Sequence, residues 1–199
     1  MAKVHMKLDG TWANCAARVR VCPHQFHMDG FSVQQVEAMP KDMLLPLLNA
    51  IDPPTYDNGG QWLRWHDAQG RWHRDHDLPA VINGLTQEWY QHGNRHRDGD
   101  KPALILSNGA RIWYVDDAIH REGDEPAGIY ADGTRNWFSH GELHRGDGKP
   151  AVERADGGLE WYEDGLRHRY GLPAVENPDG TVEYWMHGEQ VDPPEDFFE

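Results

Sequence analysis

Apolar and polar positions alternate in short runs along most of this chain, and nearly every run ends at a turn dipeptide. Residues 103–106, 111–115 and 151–154 are such runs. Alternation with a period of two is the pattern of a strand with one covered face. One set of turn signals is Asn108-Gly109, Asp132-Gly133, Asp156-Gly157 and Asp179-Gly180, and a second contains Gly93, Gly141 and Gly165. Steps of this kind between alternating runs predict β-hairpins. Pro102 opens the 103–106 run, where a missing N–H costs no ladder hydrogen bond.

The pattern is periodic. Trp65, Trp89, Trp113, Trp137, Trp161 and Trp185 follow one another at 24 residues. His-Arg pairs recur at His73-Arg74, His96-Arg97, His120-Arg121, His144-Arg145 and His168-Arg169, and Pro-Ala pairs at Ala80, Ala103, Ala127, Ala151 and Ala174. A fixed period in this range marks a repeat array, in which each unit buries its apolar face against its neighbours. The expected fold is mainly β, an elongated array of short antiparallel strands in a single meandering sheet, two or three strands to a unit. Trp65, Trp89, Trp113, Trp137 and Trp161 are expected to form the buried ladder. With a mean hydropathy of −0.82 the chain has few other large apolar groups. Each indole buries roughly 150–250 Å², worth up to about 4–6 kcal/mol before opposing terms. Tyr90, Tyr114, Phe138 and Tyr162 follow these tryptophans, so an unbroken strand would put them on the reverse face.

The ends differ. Residues 1–59 hold no repeat and read as a small N-terminal α+β cap or domain. Its strand pair is expected at residues 4–8 and 17–21, with one helix opening at a Ser32/Gln35 capping box and a second at Pro40. Five units and a degenerate sixth fill residues 60–191. In that sixth unit Val191-Asp192 replaces His-Arg. Residues 192–199 form an acidic tail.

The unit Trp-Tyr-x-x-Gly-x-x-His-Arg, followed by Pro-Ala, resembles MORN repeats. It is most similar to the divergent form found in bacterial and bacteriophage proteins. The resemblance covers about residues 60–191. It implies an elongated β-sheet rod used for protein contacts or oligomerisation, so a homo-oligomer is one expected partner state, and it implies no catalytic residues.

Charge narrows the partner. The chain carries 33 acids against 19 Lys and Arg, a net −14. Residues 60–191 account for −9 of it, and this sign disfavours nucleic acid and anionic membranes. Asp98, Asp100, Asp116, Asp117, Glu122, Asp124 and Glu125 crowd successive turns and form the candidate surface for a protein with a basic face. The stripe of Tyr90, Tyr114, Phe138 and Tyr162 is the second candidate. If exposed, it would suit a protein or a cell-wall carbohydrate, as in the weakly similar choline-binding repeats.

Catalytic signals are poor. No phosphate-binding loop, nucleophile elbow or His-Glu-x-x-His occurs. The His-Arg pairs recur once per unit, a spacing of two or three strands that is too wide for one metal, and they read as structural. Cys15, Cys22, His24 and His27 supply zinc-type ligands at an unusual first spacing, so a zinc-dependent activity in residues 1–59 is the enzymatic alternative. No cofactor is expected. Two cysteines, no apolar leader in the first ten residues and no bilayer-length apolar run lead to an expected cytoplasmic location. The overall expectation is a non-enzymatic binding module, an inhibitor or scaffold of bacterial or phage setting.

Overall fold

The computed structural model describes residues 3–6, 12–15, 52–57, 59 and 62–194. Near the start, Lys3–Met6 pairs antiparallel with Trp12–Cys15, Lys3 opposite Cys15 and Met6 opposite Trp12. The observed partner strand therefore precedes the one expected at residues 17–21. That segment and both expected helices lie outside the described residues.

The array is mainly β. Thirteen strands form one antiparallel sheet whose order follows the chain, from Tyr56–Asp57 to Glu189–Val191. At about 4.8 Å per strand the sheet is roughly 60 Å across. Most strands are two or three residues long, so each contributes little pairing and depends on its neighbours.

Not every strand joins this sheet. After four of the sheet's hairpins the chain leaves to form a separate one: Tyr90–Gln91 with Asn94–Arg95, Tyr114–Val115 with Ala118–Ile119, Phe138–Ser139 with Glu142–Leu143, and Tyr162–Glu163 with Leu166–Arg167. A unit thus has four strands in two rows, where the sequence suggested two or three in one. The tryptophan is the corner between the rows. Trp113 donates its N–H to the Ala127 carbonyl in the sheet (2.8 Å), while its own carbonyl accepts the His120 N–H from the hairpin (3.2 Å). Trp89, Trp137 and Trp161 repeat both bonds. The Trp-Tyr pair is therefore not an unbroken strand with two faces, because amide and carbonyl of the same tryptophan serve different rows.

Each row has its own turn chemistry. In the sheet, Gly109 sits at φ +89 and donates its N–H to Leu106, while the Asn108 side chain accepts from Ala110. Asp132, Asp156 and Asp179 accept from the residue two further on in the same way. Only a residue tolerant of left-handed backbone closes such a loop without strain. In the separate hairpins both central residues have positive φ, as at His140 (+51) and Gly141 (+95), a turn whose twist matches that of the strands.

The buried groups follow the period. Trp65, Trp89, Trp113, Trp137 and Trp161 are 2–7 % exposed, and Ala80, Ala103, Ala127, Ala151 and Ala174 are fully covered. Each of these alanines offers its carbonyl to a tryptophan N–H.

Candidate functional site

The array's repeated chemistry starts at the His-Arg pair. The arginine turns back over the tryptophan eight or nine residues earlier, its guanidinium carbon 3.5 Å from the ring centre at Arg74/Trp65, 3.8 Å at Arg97/Trp89, 4.1 Å at Arg121/Trp113, 3.6 Å at Arg145/Trp137 and 3.7 Å at Arg169/Trp161. Cation–π attraction favours this placement, and covering the indole excludes water from it. The same arginine donates to the proline carbonyl of its Pro-Ala pair, as Arg121 does to Pro126 (3.2 Å). It also reaches an aspartate earlier in the chain: Arg74 to Asp52, in the segment before the array, and Arg97 to Asp77, Arg121 to Asp100 and Arg145 to Asp124, each in the preceding unit, all at 2.6–2.7 Å. Arg169 departs from this, since Gly148 stands 24 residues after Asp124, and it pairs with Glu176 instead (2.8 Å).

These contacts sort the candidate acids. Asp100 is held below the ordinary carboxylate range by its hydrogen bond from Arg121. Asp124 is lowered by Arg145 first and Lys149 second. Both bind one unit to the next. Asp117 accepts the Arg95 N–H (2.7 Å) and so ties adjacent hairpins. Asp98, Asp116 and Glu122 keep side chains 82, 73 and 94 % exposed, each within 3.4 Å of a histidine ring nitrogen. Glu125 is 66 % exposed and 3.8 Å from Arg121. Asp75 and Asp147, which the sequence reading passed over, are exposed in corresponding loops, as is Asp164.

The second aromatic set is only partly available. Tyr90 is 6 % exposed and donates its hydroxyl to Glu88 (3.0 Å), with Arg95 bonded to both. Tyr162, Glu160 and Arg167 repeat this triangle three units on. Tyr114, Phe138 and Tyr162 are half-buried. Trp185 lies half-buried in the strand Val182–Met186. Cys15 ends the strand Trp12–Cys15, and Cys22, His24 and His27 lie outside the described residues.

Sequence reasoning missed a row of histidine contacts. Each histidine of a His-Arg pair accepts, at Nδ1, the backbone N–H of the first turn residue in the next hairpin: His73 from His92, His96 from Asp116, His120 from His140, His144 from Asp164 and His168 from His187. Where that turn residue is histidine the rings stack, with centres 4.1 Å apart for His73/His92, 4.4 Å for His120/His140 and 4.2 Å for His168/His187. The available signal was the His, Asp, His, Asp, His alternation at residues 92, 116, 140, 164 and 187.

No family model matches the chain, and no curated protein or solved structure matches it. Among the described residues no helix is long and apolar enough to cross a membrane.

Proposed function

We propose that the array is a non-enzymatic protein-binding module, an inhibitor or scaffold whose partner presents a basic surface. One observation carries this reading: the units use the arginines of their His-Arg pairs internally and leave acids outside. Arg74, Arg97, Arg121 and Arg145 have side chains 2–15 % exposed and lie on tryptophan rings, whereas Asp98, Asp116 and Glu122 are 73–94 % exposed. A partner approaching these loops meets carboxylates on a stiff repeated frame. Charge of one sign on such a frame steers encounter with its complement and rejects like-charged surfaces. Asp100 and Asp124 belong to the frame in this reading, and Asp98, Asp116, Glu122 and Glu125 to the contact surface.

The test is capture from a bacterial lysate at about 50 mM and about 500 mM salt, since screening at the higher value shortens the range of such charges several-fold. A partner retained at low salt, released at high salt and lost with D98N/D116N/E122Q supports the proposal, provided the variant unfolds at the same urea concentration as the parent. Capture that ignores both salt and the substitutions overturns it.

A further inference from the structure

The structure assigns a divalent transition-metal site, of the kind zinc occupies, to Glu163, His168 and His187. One potential ligand atom from each lies within 4.8 Å of the other two. The residues come from successive units: Glu163 ends the hairpin strand Tyr162–Glu163, His168 follows its partner Leu166–Arg167, and His187 opens the next turn. Two imidazoles and one carboxylate form a borderline-soft set that suits zinc and leaves a fourth position open.

The distances favour an ion between these groups. His168 Nε2 lies 3.2 Å from the Glu163 carboxylate. Two ligands held about 2.1 Å from a tetrahedral zinc are themselves about 3.4 Å apart, so this pair stands at nearly the required separation. The His187 ring is stacked 4.2 Å from His168, with its plane tilted 23°. It is exposed, and its nitrogens make no hydrogen bond among the described residues. A rotation of this free ring turns a nitrogen toward the ion.

The two other stacked pairs lack that freedom. His92 Nδ1 lies 3.1 Å from Asp67, and His140 Nδ1 lies 3.0 Å from the Ser139 hydroxyl. Their second rings are already held, which singles out the His168/His187 pair.

The protons balance as follows. In the free protein His168 Nδ1 accepts the His187 N–H, so the ring proton sits on Nε2 and is shared with Glu163. A cation at Nε2 displaces that proton to solvent, and Nδ1 takes one up from solvent to keep the imidazole neutral. The His187 amide is then released from Nδ1. Metal binding therefore trades one weak backbone contact for a bridge between the last two units.

Zinc titration of the full chain by calorimetry, alongside C15S/C22S, H187N and E163Q, tests the assignment. Asparagine at 187 tolerates the φ of +48 there, so the turn is kept. We expect one saturable equivalent that survives C15S/C22S, weakens at least tenfold in H187N and E163Q, as loss of even an outer partner typically does, and speeds hydrogen exchange of the His187 amide. Absence of saturable binding overturns the assignment. So does a site that H187N leaves intact, or one that C15S/C22S removes.

Discussion

Arg145 holds its guanidinium carbon 3.6 Å above the centre of the Trp137 ring while its Nε donates to Asp124 of the preceding unit at 2.6 Å. One side chain thus caps the buried indole and ties two units together. Asp124 also takes the Lys149 ammonium at 2.6 Å, and Arg145 reaches Glu153 at 2.9 Å. A planar, delocalised cation can stack on the ring and donate from its edge at once, whereas an ammonium is a compact, strongly hydrated point charge with no plane to stack.

Arg145→Lys should therefore behave as a disruptive change despite conserving charge. The expected loss is about 1–2 kcal/mol, the scale of a desolvated cation–π contact. Urea unfolding measures it. A loss equal to that of an exposed Arg111→Lys would mean that the stack contributes nothing.

Much of this arrangement was legible in the residues. The 24-residue spacing of Trp113, Trp137 and Trp161, together with Asn108-Gly109 and its counterparts, led to stacked hairpins, and the sheet has them. The corner at each tryptophan was not legible. A period-two pattern runs straight through Trp113-Tyr114, and nothing in side-chain character tells that the Trp113 amide and carbonyl pair with different rows. The histidine stacks escaped for a related reason. His168 and His187 are 19 residues apart, off the period of the repeat, and meet only because one hairpin turn docks on the end of the previous hairpin. Among the acids, Asp98 and Asp100 look alike in sequence. Both are exposed, and which of them is tied to the next unit is decided by the reach of Arg121.

Trp113→Ala should cost about 3–5 kcal/mol, the range for removing a large buried aromatic. Trp113 is 7 % exposed with a unit on either side. Trp185 is half-buried in the terminal strands, and its Nε1 bonds Glu183 beside it. Its replacement should cost clearly less. Equal, small losses in urea unfolding would contradict a stacked array.

Gly141 separates backbone strain from packing. A Cβ there would lie 3.9 Å from that of Ala118, ordinary contact, so space is not limiting. The φ of +95 is. Gly141→Ala should lose about 1–2 kcal/mol and Gly141→Asn less, because asparagine visits left-handed backbone more readily. If both variants unfold at the parent's urea midpoint, the turn does not constrain the hairpin.

The inter-unit pairs should give the array an acid-sensitive component. Asp100 and Asp124 are lowered in the folded protein by Arg121 and by Arg145 with Lys149, while in the unfolded chain a carboxyl titrates near ~3.9. A depressed native value means the unfolded state binds protons first on acidification. The stabilisation is fully present above the unfolded value and disappears as pH falls through the native one. Asp124→Asn removes one such group, so parent and variant should differ most at neutral pH and converge as pH drops from about 5 toward about 2. Urea midpoints across that window measure the gap. A gap that stays constant would show that the Asp124 charge contributes nothing, leaving only the shape of its side chain against Arg145.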